Sequence, residues 1–248
     1  MPERDTTNHN LAGPAGGRPT GRGSCALDYC HKLGFCGFCL ACILWVLQAF
    51  PGLPVSGRQW LPVFLLVMAL LTTLTGLARQ LPLQNALAAA GVIALVATGA
   101  GALAILAGAG PNAAHLSGPT FPPGVPWSAP VAWVVLVLNA RGVARLALGP
   151  WRAAKNYGFW LMGLAGVLLA LLDLAMGLCG SWARECWAWP GLAAAPGWQA
   201  LNVFVLAVVV QLCAIPWLIN KKPGTPPPDY HPLWVWALLS VCLLAPIR

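Results

Sequence analysis

Acidic side chains are nearly missing from this chain: Asp and Glu together number six in 248 residues. All charged types come to 8%, against the roughly one quarter typical of soluble domains, so this composition cannot clothe an ordinary water-exposed surface. Histidine is almost as scarce. His9, His31, His115 and His231 all fall in expected tails or loops, which excludes the helical ligand pair of a transmembrane haem and the histidine clusters of membrane di-iron enzymes. The Ser and helical His of an intramembrane serine protease are absent, as are the paired Asp-rich motifs that hold a magnesium diphosphate. Period-2 alternation between turns, the mark of an outer-membrane barrel, is also missing.

What is abundant is apolar length. Hydrophobic residues make up 58% of the chain, and they gather in seven runs near 33–50, 60–78, 86–108, 130–148, 157–179, 198–219 and 232–247. Most approach the roughly 20 residues with which a helix crosses about 30 Å of hydrocarbon, and the last is the shortest. The fold expected is all-α: a polytopic transmembrane bundle of about seven helices, since a spanning segment must satisfy its own backbone. Residues 1–32, opening with MPERDTTNHNLAGPAGGRPTGRGS, bury too little to fold and are expected as a disordered cytoplasmic tail, with 33–248 forming one transmembrane domain. No cleavable signal is expected, because the first apolar run is long enough to remain as an anchor.

Lysine and arginine set the orientation. With the N-terminus inside, the inner side receives Arg4, Arg18, Arg22, Lys32, Arg79, Arg152, Lys155, Lys221 and Lys222, and the outer side only Arg58, Arg184 and Arg248. This asymmetry predicts a multi-pass protein of the inner (plasma) membrane with a cytoplasmic N-terminus. The net charge of +8 is then met by lipid headgroups and calls for no nucleic acid.

Polar residues inside the apolar runs are few and therefore informative. Asp173 is the one acid within a span. Gly163, Gly166, Ala170, Asp173, Gly177 and Gly180 share one helical face, a small-residue seam suited to close packing on another helix. Burial there favours a protonated carboxyl able to donate a proton, or a structural acid bonded to a neighbouring helix. Arg141 and Arg145, four apart, share a face of the fourth helix, and their depth argues against direct pairing with Asp173. Arg145 reads as an anchor reaching the inner boundary, and Arg141 as either a hydrogen-bond hub or a functional contact. Cys36, Cys39 and Cys42 lie along an apolar helix and read as small hydrophobes rather than metal ligands. Cys179 and Cys186 bracket an outer loop where a disulfide is plausible. PPPDYHP, residues 226–232, reads as a rigid interfacial turn with Asp229 and His231 as capping groups.

NARGVARLALGPWRAAKNYGFWLMGLAGVLLALLDL, the Trp187-Ala-Trp189 pair, the helical Asn202 and PWLINKKPGTPPPDYHPL follow one another in an order that resembles the integral-membrane carotenoid biosynthesis family, which includes carotenoid hydratases. The resemblance covers roughly residues 130–245. It implies addition of water to the terminal double bond of a linear carotenoid end group, with an apolar isoprenoid as ligand and other carotenoid enzymes as partners. On that reading Asp173 is the acid that protonates carbon, and Asn202 orients the water. Trp187 and Trp189 flank the polyene end or face its positive charge, and Arg141 and Tyr157 contact substrate. No metal or cofactor is called for. Against the family pattern, Gly177-Leu178 stands where a second acid and a Pro are usual, and Pro196 lies six residues before Asn202 rather than three. The tryptophans also fit an aromatic belt at the outer interface. The rival class is a non-catalytic membrane protein, either a carotenoid-binding or complex-organising subunit or a small-solute permease. A permease is expected to show broken helices and repeat symmetry, and neither is clear in the sequence.

Overall fold

Apolar runs become helices because only intrasegment hydrogen bonding satisfies a backbone kept from water. The computed structural model describes residues 22–48, 61–107, 120–122, 124–179, 196–219 and 229–244. The seven α-helices there are α1 (Arg22–Gln48), α2 (Leu61–Ala78), α3 (Leu83–Leu106), α4 (Ser128–Ala147), α5 (Tyr157–Leu178), α6 (Pro196–Leu218) and α7 (His231–Leu244). Six contain segments long and apolar enough to cross a membrane; α7, with 14 residues, is shorter. The protein is a multi-pass membrane helix bundle.

Its outward faces agree with that assignment. Leu40, Ile43, Leu71, Leu87, Leu95, Leu103, Leu171, Val205, Leu212 and Val241 are exposed from six different helices. A soluble monomer rarely leaves so continuous an apolar surface uncovered, whereas hydrocarbon leaves it undisturbed.

α4 occupies the centre. It packs on α2, α3, α5 and α7, and the run from Trp133 to Ala140 is buried on every side, as expected of a helix that is apolar all round. α5 and α6 form one tight pair, α1 and α2 another, and α3 lies against α6. Small residues permit the close approaches. A Cβ added at Gly166 of α5 would meet the Phe204 ring of α6 at 3.0 and 3.1 Å, and one at Gly142 of α4 would collide with Pro232 of α7. The small-residue seam read along α5 is therefore a true contact at Gly166, whereas Gly163 faces open space. Across the bundle, Trp45 Nε1 of α1 donates to the carbonyl of Cys242 in α7 at 3.0 Å.

Several boundaries differ from the sequence reading. α1 begins at Arg22, so residues 22–32, expected within the disordered tail, are helical. From Cys25 to Lys32 the segment contains no Gly or Pro, so its polarity never prevented a helix from extending beyond the apolar core. Residues 1–21 lie outside the described residues. The outer loop expected at 112–130 ends in a short hairpin, β1 (Thr120–Phe121) against β2 (Val125–Pro126), with Thr120 opposite Pro126 and Phe121 opposite Val125. Gly124 closes the turn at φ 129°, a conformation that side chains with a Cβ rarely adopt. Buried Val125 then packs on Gly101 of α3.

Candidate functional site

The later turns of α4 carry Asn139, Arg141, Gly142 and Arg145 into one end of the bundle, where a cavity of about 70 Å³ opens. Its wall includes Thr73 and Gly76 from α2, Gln80 in the turn that follows it, Arg152 beyond α4, Leu218 at the close of α6, and Asp229, His231 and Pro232 at the start of α7. Five chain segments thus converge on one polar chamber.

Hydrogen bonds tie these segments together. Asn139 Nδ2 donates to Thr73 Oγ1 at 2.8 Å and to its own helix at Val135 O, 2.7 Å away; the Thr73 hydroxyl passes its proton back to Ala69 O at 2.7 Å. Arg145 Nη1 donates to Gln80 Oε1 at 3.1 Å, and Gln80 Nε2 donates to Asp229 Oδ2 at 2.9 Å. The other carboxylate oxygen accepts the backbone N–H of His231 at 3.0 Å. Arginine, amide and carboxylate therefore form a part-buried relay from α4 through the turn after α2 to the start of α7.

Beside it, the rings of His31 of α1 and His231 meet at a tilt of 58° with centroids 4.2 Å apart, and Phe35 meets His231 edge-on at 4.8 Å. His31 Nδ1 and Thr75 Oγ1 are hydrogen-bonded at 3.0 Å. Burial, with the neighbouring His31, pushes His231 below the ordinary histidine range to about 4. Asp229 opposes that displacement without cancelling it. At the rim, Arg79 Nε and Asp28 Oδ1 form an ion pair at 2.9 Å; both are about half exposed, so the pair adds little stability.

Two buried polar atoms of the cavity wall have no hydrogen-bond partner among the described residues, Arg141 Nη1 and His231 Nε2; the Tyr157 hydroxyl, outside that wall, is likewise unpartnered. Arg141 lies within electrostatic reach of both Arg145 and Tyr157. Arg145, read as an anchor reaching the boundary, is bonded to Gln80 inside the cavity wall. Asp229 does cap α7, as the Pro-rich turn suggested, but both Asp229 and His231 also form part of the chamber.

Asp173 stands elsewhere. It is 1% exposed on α5, where Gln199 Nε2 of α6 donates to its Oδ1 at 3.1 Å. Sixteen residues separate it from Tyr157, a rise of about 24 Å along the helix, so Asp173 and the arginine chamber occupy opposite ends of the bundle. Asn202, expected to hold water beside Asp173, is exposed on the outward side of α6; Gln199, one turn earlier, takes the inward position. Trp187 and Trp189 lie outside the described residues, as does Cys186. Cys179 is an exposed free thiol, and along α1 Cys36 is exposed while Cys42 is buried in the core.

Arg141, Arg145 and Asp173 stand out in the sequence as polar residues within apolar runs, whereas His31, Gln80 and Gln199 carry no such mark. A single polar residue near a helix end has no periodic signature. PPPDYHP alone marked where Asp229 and His231 would enter.

A membrane bundle with a cation-lined polar chamber at one end and a buried carboxyl at the other is the class that fold and sites define. Compared with family models, curated proteins and solved structures, the chain gives no match.

Proposed function

We propose that the protein acts on an apolar isoprenoid in the membrane, a linear carotenoid, and adds water across the terminal double bond of its end group. Asp173 carries the reading. A carboxyl 1% exposed among apolar side chains, oriented by the Gln199 amide, is suited to the neutral acid form that can protonate an alkene carbon. Protonation forms a C–H bond at one alkene carbon and leaves a cation at the other. Water then forms the C–O bond and returns its proton to the carboxylate. The order of motifs over residues 130–245 supports the same substrate class. The membrane is the plasma membrane, with the arginine chamber on its cytoplasmic side; the gathering of Arg79, Arg145 and Arg152 at that end supports this orientation.

Expression in a lycopene-producing bacterium, with mass analysis of extracted pigments, tests the reaction. The wild-type chain yields product heavier by one water, and Asp173→Asn, present at equal level in the membrane, yields none. Unchanged pigment with the wild-type chain, or product retained by Asp173→Asn, overturns it.

One observation favours a second reading, a non-catalytic carotenoid-binding subunit. Asn202, the residue on which the orientation of water depends in the hydratase reading, is exposed on the outward side of α6. Co-purification of unmodified pigment with the wild-type chain distinguishes this case.

A further inference from the structure

The arginine chamber is separate from Asp173, and its unmet hydrogen-bonding capacity has a definite chemical character. We propose that it binds an oxyanion of the phosphate class, held by Arg141 and His231 and attracted by Arg145 and Arg152.

The charge balance comes first. Arg141, Arg145 and Arg152 line the cavity, and Asp229 is its one acid. Asp229 is already engaged on both oxygens, one by Gln80 and one by the His231 backbone. No carboxylate among the described residues forms an ion pair with Arg141, since the pair present there joins Arg79 to Asp28. A buried guanidinium without a counter-ion is strongly unfavourable in a low-dielectric interior.

The donors come second. Among the residues that line the cavity, Arg141 Nη1 is buried and unpartnered and can donate; His231 Nε2, also unpartnered, donates in the tautomer or charge state that carries a proton there. A phosphate group offers several acceptor oxygens, and a planar guanidinium matches it with two parallel N–H bonds. About 70 Å³ holds a few waters or one tetrahedral oxyanion and is far too small for a polyene. Gly142 and Gly76 keep the approach low: a Cβ at Gly142 would strike Pro232, and one at Gly76 would lie 3.2 Å from the His31 ring.

A free phosphate and the phosphate headgroup of a lipid share this chemistry, and the cavity's place at the end of the spans admits both. The full chain, purified in a neutral detergent, is titrated with inorganic phosphate and its melting temperature followed. In parallel, it is reconstituted in nanodiscs of phosphatidylcholine with and without phosphatidic acid. Wild-type protein is expected to melt several degrees higher with phosphate, with phosphatidic acid, or with both. A rise with phosphate identifies a soluble anion, and a rise only with phosphatidic acid identifies a headgroup.

Arg141→Gln is expected to abolish the shift, and His231→Phe, which keeps a ring and removes the donor nitrogen, to reduce it severalfold. Should Arg141→Gln fail to fold, His231→Phe carries the test alone. No shift with either probe in the wild type overturns the proposal, as does a full shift in His231→Phe or in folded Arg141→Gln. Since Asp173 takes no part, Asp173→Asn keeps the shift whatever becomes of the hydration reading.

Discussion

Gln199 and Asp173 face each other from adjacent helices, with the amide nitrogen 3.1 Å from the carboxyl oxygen and neither side chain more than 5% exposed. The bond crosses the tightest helix pair of the bundle, so it orients the acid and joins α5 to α6 at once.

Gln199→Leu should therefore destabilise the protein by about 1–3 kcal/mol, the usual penalty for depriving a buried polar group of a partner. Asp173→Asn keeps an oxygen to accept the bond and should cost less. Thermal unfolding followed by size-exclusion recovery in detergent measures both, and equal melting of Gln199→Leu and wild type would show that the bond contributes nothing.

Gly166→Ala should cost about 1–3 kcal/mol, because the new methyl group forces the Phe204 ring away from α5. Gly163→Ala, three residues earlier and facing open space, should leave stability unchanged or slightly improved. The same melting assay compares them. Equal losses at the two positions would mean that helix flexibility, rather than contact with α6, sets the requirement for glycine.

Reporter fusions after Arg79 and after Lys155 should both register as cytoplasmic, because basic loops resist translocation. A periplasmic signal from both would invert the bundle and place the arginine chamber outside.

The histidine pair gives a pH dependence whose sign is fixed by burial. His231 titrates near 4 in the folded protein and near its ordinary 6.5 when unfolded, so between those values the unfolded chain binds more protons. Stability should be full above about pH 6.5 and fall as the pH drops toward 4. The groups facing His231 are His31, Asp229 and Arg79, of which only Asp229 favours the charged ring. His231→Asn should flatten the slope of melting temperature against pH over that window. An unchanged slope would assign the effect to other groups.

The sequence was most informative where a property belongs to one helix. Apolar length located the spans, and the i, i+4 spacing of Arg141 and Arg145 put both on one face of α4. The isolation of Asp173 in an apolar run announced its burial. It was least informative where a property needs two distant segments. Gln199 outranks Asn202 as the neighbour of Asp173 only because of how α6 is rotated against α5. Asn139 finds Thr73 across 66 positions, and Gln80 finds Asp229 across 149. The start of α1 was misplaced for a different reason. Helix length was inferred from hydrophobicity, whereas Cys25 to Lys32 needs only the absence of breakers to remain helical.

The bond from Trp45 to the carbonyl of Cys242 spans 197 positions of the chain. At about 5–20 residues per second, the first helix emerges from the ribosome roughly 10–40 s before the last one that holds it. α1 must therefore wait in the membrane beside α2, without its bond to α7, until synthesis is nearly over. A premature stop ahead of α7 removes the final partner of the first helix, so a lesion at the end of the message becomes a defect at the beginning of the fold.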